Sequence, residues 1–405
     1  MGRENVLERA DSFINRWKFS SGAKELHSSI IREILKDSSK PGVINFAGGL
    51  PAPELFPIDK ITEACTRVLN NHGPDSLQYS LTTGVPLLKQ FLADRISAGG
   101  AGYSSESIQI TAGAQQGLDI IGRVFLEPGS VVLTEEPTYL GAIQAFSFYK
   151  AKFVSVATDS DGMLPDDLER KISENDPTLI YLVPNFQNPS GITMSYERRK
   201  AVIELAKKYD IPIIDDNPYG ELRYMGEHVP SLKAMSREHV IQLGTFSKII
   251  SPGLRIGWIA AEPEVISLCE RLKQATDLHT NTFTQYVIYE FAKDGGLEEH
   301  IETMKSAYRI RRDVMMNALR TYFNNGVTWT EPEGGLFLWV KLPAGISGSG
   351  LLPEALNAGV AYVPGKYFYS AVPDDATLRL NFCNASEDNI IEGVKRLAGV
   401  IKAVL

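Results

Sequence analysis

Between residues 59 and 243, short apolar runs alternate with amphipathic helical patterns, and that alternation leaves few folds open. The runs 107–111, 131–134, 152–156, 179–183, 212–215 and 240–243 have the length and apolar content of strands. Segments 59–70, 85–97, 115–125, 139–148 and 195–209 read as helices. In the last of these, Val202, Leu205, Ala206 and Tyr209 share one face, and Ser195 precedes them with Glu197 in the first turn. Strands apolar along their whole length need cover on both faces, so the pattern predicts a mostly parallel sheet between helices, an α/β class.

The flanking segments read differently. Residues 263–322 form a long helical stretch; 336–342, 361–363 and 377–382 read as strands, with a Gly/Ser linker at 345–350 and a closing helix at 386–404. That is an α+β arrangement. Near the amino terminus, Ser28-Ser29 opens an amphipathic piece carrying Ile30, Ile31, Ile34 and Leu35, stopped by Pro41-Gly42. Residues 43–57 are apolar, but three prolines and two glycines forbid long regular structure there. An apolar segment of that kind lies against something. The expected division is an amino-terminal arm and helix over 1–58 that also forms part of the small domain, a large domain over 59–300 and a small carboxyl-terminal domain over 301–405.

Composition narrows the function classes. A net charge of −8 without any basic block argues against nucleic acid as a partner. Cys65, Cys269 and Cys383 lie far apart, without metal-ligand spacing, and suit a reducing compartment. The charged amino terminus lacks a signal-peptide core, and no apolar run approaches the ~18 residues of a membrane span. The expectation is a cytoplasmic protein with no membrane partner.

In open α/β sheets, ligands bind beyond the carboxyl ends of the strands, so the residues following each strand matter most. The first predicted strand leads into Gly113-Ala114-Gln115 and a helix start, which offers backbone N–H groups to an anion; alone it is an ordinary turn. Tyr139 follows the second strand, and Asn188 and Asp216 follow the fourth and fifth. A packing tyrosine, a turn asparagine and a structural carboxylate would explain each singly. The sixth strand opens Gly244-Thr245-Phe246-Ser247-Lys248, with Arg255 just beyond. A lysine there either binds phosphate or attacks a carbonyl. Together these features match pyridoxal 5'-phosphate, which needs a lysine, an acid at its ring nitrogen, a phosphate cup, a stacking ring and a donor to its phenolate oxygen.

The segments FAGGLPAPELFP, LQYSLTTGVPLL, TAGAQQGLD, EEPTY, PNFQNPSG, DDNPYGELRY, GTFSKIISPGLRIGW, EPEGGLFLW, YVPGKYFY and LRLNFCN occur in this order over about residues 12 to 395. In them the chain resembles fold-type I, class I/II aminotransferases, in particular the 2-aminoadipate (kynurenine/2-aminoadipate) and aromatic aminotransferases. The resemblance implies the PLP-transferase fold, with a mostly parallel seven-stranded sheet and a smaller α+β domain. It implies a homodimer with shared active sites, and ping-pong Schiff-base transfer between amino acid and 2-oxo acid substrates, with 2-oxoglutarate as acceptor. Another enzyme on the same fold, such as a β-lyase, is the alternative.

Carried over by position, Lys248 resembles the Schiff-base lysine and Asp216 the ring-nitrogen partner. Tyr219 and Asn188 look like the pair on the phenolate oxygen, and Tyr139 like the stacker. Thr245, Ser247, Arg255 and the turn Gly113–Gln115 look like the phosphate cup. Ala114 stands where the family often has a hydroxyl. Tyr79 resembles the tyrosine that reaches the neighbouring subunit's phosphate. Arg379 resembles the grip on the substrate α-carboxylate and Gly49 the backbone covering the substrate, while Arg32 resembles an arginine that meets a distal carboxylate.

Overall fold

The computed structural model describes residues 17–20, 22, 34, 41–98, 102–323 and 326–405. Its main sheet has seven strands: β1 Ile108–Thr111, β2 Val131–Glu135, β3 Lys152–Val156, β4 Leu179–Leu182, β5 Ile213–Asp216, β6 Val240–Thr245 and β7 Gly257–Ala260. Their spatial order is β1-β7-β6-β5-β4-β2-β3. All pair in parallel except β7, which runs antiparallel to both β6 and β1.

Alternation along the strands divides the core between the two faces, as a pleat of period two requires. Leu133, Ile180, Leu182 and Ile213 pack with Leu168 of helix α5 and Val202 and Ala206 of helix α6. Val132, Leu179, Tyr181 and Ile214 join Leu118 and Ile121 of helix α3 on the other face. In chain order the helices are α1 Ile58–Leu77, α2 Pro86–Ser97, α3 Ala114–Phe125, α4 Leu140–Ser147, α5 Pro165–Asn175 and α6 Tyr196–Tyr209. They continue with α7 Pro263–Gln274, α8 Thr282–Ala292, α9 Gly296–Tyr322, α10 Gly348–Asn357 and α11 Glu387–Lys402. Ser195 caps α6 as its position predicts, accepting from the Arg198 N–H at 3.4 Å.

A second, antiparallel sheet is built from β8 Thr328–Trp329, β9 Phe337–Lys341, β10 Val363–Pro364 and β11 Thr377–Asn381, in the order β8-β9-β11-β10. The apolar amino-terminal segment does lie against this sheet. Ile44–Asn45 pairs in parallel with Val360–Ala361, and Phe46 shares one core with Phe337 and Phe382.

The structure departs from these expectations in several places. The long helical stretch over 263–322 is three helices, broken between α7 and α8, where Leu278 takes a positive φ of 67°, and again between α8 and α9, at Gly295. β7 and α5 form where the sequence pattern predicts neither a strand nor a helix. β6 runs two residues further than expected, so Gly244 and Thr245 are strand and not turn. The amphipathic piece over 28–35, and Arg32 with it, lies almost wholly outside the described residues.

Candidate active site

The carboxyl rim of the main sheet collects the predicted side chains. Lys248 follows β6 closely, and its Nζ donates to the Gly49 carbonyl at 2.8 Å. Burial pushes its pKa down to about 8, with the guanidiniums of Arg379 and Arg255 lowering it further. The apolar segment around Gly49 therefore meets the lysine directly.

Asp216 ends β5 and is 2 % exposed. Its Oδ2 accepts from the Tyr181 hydroxyl at 2.7 Å, while its Oδ1 is buried with no hydrogen-bond partner. Burial raises this carboxyl to about 7, and the neighbouring Asp215 adds to the rise. A buried, half-satisfied carboxylate of this kind needs a cationic or N–H partner. A protonated pyridine nitrogen is such a partner.

The loop after β4 brings in Asn188, whose Oδ1 accepts from Arg379 Nη1 at 2.8 Å. Tyr219 is buried beside Asn188, with its hydroxyl raised by burial and helped down by the Asn188 hydrogen bond. Arg379 lies in β11, 1 % exposed, with Nη2 on the Ala47 carbonyl at 2.6 Å and Nε unpartnered. Its guanidinium carbon sits 4.3 Å from the centroid of Phe337 and 5.0 Å from that of Phe368. Two aromatic faces hold the planar cation flat.

An anion cradle forms where α3 begins. Gly113 is its N-cap with φ +84°, and no side chain caps the helix. A Cβ at Gly113 would fall 2.6 Å from Arg255 Nη2, so glycine is what lets the arginine lie against this turn. Arg255 itself adopts φ +53° and donates from Nη2 to the Ala112 carbonyl at 3.1 Å. Thr245 Oγ1 lies 2.9 Å from Ser247 Oγ and accepts the Ser247 N–H at 3.1 Å. Ala114 opens the helix, and Gln115 turns its amide outward to the Gly141 carbonyl at 2.9 Å. Hydroxyls, a guanidinium and a helix N-terminus at one rim suit a phosphate. With the orphaned Asp216 oxygen, they fit pyridoxal 5'-phosphate.

Tyr139 is half-buried at the start of α4, and burial raises its hydroxyl to about 12, with Asp216 the next contributor. Tyr79 stands apart from these groups. It is 77 % exposed, with its ring edge-on to His279 at 5.7 Å. Sequence reasoning did not identify Tyr181, Phe337, Phe368 or the Ala47 carbonyl. The register that pairs Tyr181 with Ile214 puts it on the face of Asp216, two residues on, and that register exists only in the folded sheet.

A mixed seven-stranded sheet with a lysine, a buried aspartate and an anion cradle on its rim defines a fold-type I pyridoxal-phosphate enzyme. The chain belongs to the class I and II aminotransferase family, whose model matches residues 41–397. It is an aminotransferase, and pyridoxal 5'-phosphate is its cofactor. It is 47 % identical over 391 residues to aromatic-amino-acid aminotransferase 1 of Thermococcus litoralis, covering 95 % of this chain and 94 % of that one. It is 40 % identical to the 2-aminoadipate transaminase of Thermus thermophilus, covering 96 % and 97 %. The crystal structure of Pyrococcus horikoshii kynurenine aminotransferase, in complex with PMP, superposes with a TM-score of 0.93 at 44 % identity, covering 97 % and 98 %. Among the described residues no helix is long and apolar enough to cross a membrane.

Proposed function

We propose that this enzyme moves the amino group of 2-aminoadipate, glutamate or an aromatic or branched-chain L-amino acid to 2-oxoglutarate by a ping-pong route. One arrangement carries the reading: Lys248, with its pKa lowered to about 8, stands at one rim with Asp216 and its unpartnered Oδ1. When bound, the cofactor supplies a carbonyl for the substrate amine and a ring that takes up the electrons left at Cα.

The protein's share follows from its own groups. Asp216 Oδ1 holds the ring nitrogen protonated, so that the ring can act as an electron sink. Arg379 binds the substrate α-carboxylate; each Nη keeps a second hydrogen beyond those given to Asn188 and Ala47, and Nε carries another. Its aromatic clamp fixes the carboxylate and with it the direction of the Cα–H bond. Lys248 Nζ, held by the Gly49 carbonyl at 2.8 Å, would take the proton from Cα and deliver it to the cofactor's C4′. Thr245, Ser247, Arg255 and the Gly113–Gln115 turn hold the phosphate. Asn188 and Tyr219 hydrogen-bond the phenolate oxygen, and Tyr139 stacks on the ring. The same reading has a cytoplasmic homodimer in which Tyr79 reaches the partner's cofactor phosphate.

Lys248→Ala should lose the visible absorbance of the lysine-linked cofactor and at least about 10²–10⁴-fold in turnover. A variant keeping both would sink the assignment. Incubation with an amino acid alone should stop at one equivalent of 2-oxo acid; continued turnover would make this a lyase. The donor class is tested through Arg32. In Arg32→Ala, kcat/KM for 2-aminoadipate should fall relative to leucine by about tenfold or more, the size of a lost charge-assisted contact. An unchanged ratio removes Arg32 from the reading.

A further inference from the structure

Lys273 is a fully buried lysine, far from Lys248 in sequence, with no part in the roles above. Its Nζ donates to Asp277 Oδ1 at 2.9 Å, to Asp277 Oδ2 at 2.8 Å and to Gln116 Oε1 at 2.9 Å. All the hydrogens of the ammonium are therefore committed. Gln116 Nε2 in turn donates to Asp277 Oδ2 at 2.7 Å, which closes a triangle between α7, the turn after it and the first turn of α3. The free end of the triangle points at the cradle: Gln116 Oε1 also accepts the Ala112 backbone N–H at 2.7 Å.

That last bond completes a series. Gln116 fixes the peptide unit 111–112 through the Ala112 N–H. Arg255 fixes 112–113 through the Ala112 carbonyl at 3.1 Å. Thr111 Oγ1 fixes 113–114 by donating to the Gly113 carbonyl at 3.0 Å. The Ala114 N–H belongs to that third unit, so its direction is set by three successive anchors. Gly113 needs them, because φ +84° is a position that its own backbone does not enforce. A buried ammonium is costly unless it is paired and fully hydrogen-bonded, and Asp277 and Gln116 supply both for Lys273.

We infer that Lys273, Asp277 and Gln116 are positioning residues for the phosphate cradle: they hold the Ala112 N–H and so lock the turn, leaving the N–H groups of Gly113 and Ala114 to face the cofactor phosphate without rearrangement. None of the three is placed to touch the cofactor by this geometry; they act through the turn. The inference rests on the cradle assigned above to Gly113–Gln115 and Arg255.

The test uses the full-length protein, titrated with pyridoxamine 5'-phosphate and, separately, with pyridoxamine, which lacks the phosphate. Gln116→Ala and Lys273→Met should each weaken the phosphorylated ligand about tenfold, the worth of one well-placed hydrogen bond to a charged group, and leave pyridoxamine affinity within twofold. Gln116→Met, which keeps the side-chain length, serves if the shorter variant does not fold. Equal weakening of both ligands, or of neither, overturns the inference. Arg255→Met separates the two levels of the argument. If it loses phosphate selectivity while the Gln116 and Lys273 variants keep it, the positioning role fails and the cradle stands; if Arg255→Met also keeps it, the cradle itself is wrong.

Discussion

Asp216 and Lys248 are displaced in opposite directions by the same cause, burial at the sheet rim. Asp216 rises to about 7 from an ordinary 3.8, and Glu135, at the end of β2, rises to about 7 as well. Lys248 falls to about 8 from 10.5, and the buried Lys233 also falls to about 8. Between pH 4 and 7 the folded chain holds carboxyl protons that the unfolded chain has released, so stability drops as pH rises through that window. Between pH 8 and about 9 the unfolded chain holds amine protons that the folded chain has released, so stability climbs; at higher pH the thiols of Cys269 and Cys383, raised by burial, oppose that climb. The cofactor-free enzyme should therefore show a trough of stability from about pH 7 to 8. Urea midpoints across pH 4–10.5 measure it; Asp216→Asn should flatten the acid limb, and an unaltered limb would show the carboxyl is not responsible. Bound cofactor, by bringing a cation to Asp216, should fill part of the trough.

Asp216 and Lys248 are legible as candidates in the sequence because each stands at or just beyond a strand end, and the strand ends show in the apolar pattern. Tyr181 escaped because a tyrosine inside an all-buried strand reads as core, and its hydroxyl partner lies on a neighbouring strand. The aromatic clamp on Arg379 escaped for a similar reason: Phe337 and Phe368 come from separate parts of the small sheet region, and only tertiary packing brings them to one guanidinium.

At the scale of elements, most strands and helices were readable from periodicity, and the misses share a cause. β7 is four residues, Gly-Trp-Ile-Ala, too few to show a period. α5 buries only Leu168 and Ile172 in a charged background. The break between α7 and α8 depends on Leu278 in the left-handed region, which the residue type does not announce. β7 matters to the site through one cross-strand pair, Trp258 opposite Gly244. A Cβ on Gly244 would lie 2.1 Å from the Trp258 indole, so the indole occupies the space a side chain would need. Gly244→Ala should cost about 1–3 kcal/mol by overpacking, measured as the urea midpoint. Adding Trp258→Phe should recover part of that loss, since contacting positions couple. Independent, additive effects would show that the indole is not what excludes the side chain.

Across the whole molecule, residues 45–50 are the splice between the two sheets. Lys248 donates to Gly49, Arg379 to Ala47, and Asn381 Nδ2 to the carbonyls of Gly48 and of Leu50, the latter at 3.2 Å. The apolar, proline-rich composition foretold an irregular segment lying against something, but not that the side chains of Lys248, Arg379 and Asn381 would converge on its carbonyls. Beyond this splice, Leu77, Tyr79, Leu81 and Leu278 leave a run of large side chains exposed, each half or more in solvent. A run of that kind beside α1 fits a subunit contact. The protein should therefore behave as a dimer by light scattering. In mixed dimers of Tyr79→Phe with Lys248→Ala subunits, the site that keeps Lys248 faces an intact tyrosine and should release its lysine-linked cofactor as slowly as the unaltered enzyme; release as fast as from the Tyr79→Phe homodimer would deny Tyr79 its reach across the interface.

The antiparallel strand also dictates when the site can exist. β1 has β7 as its one strand neighbour in the sheet, and β7 ends at Ala260. During synthesis β1 emerges early and waits through the next five strands for a partner, a long-range pairing whose loop-closure entropy slows formation. Arg255 arrives with that same late segment and meets the Gly113 turn only then. Closing the sheet edge and completing the phosphate cradle therefore draw on the same late segment, so a nascent chain can assemble that cradle only after Arg255 and β7 have emerged.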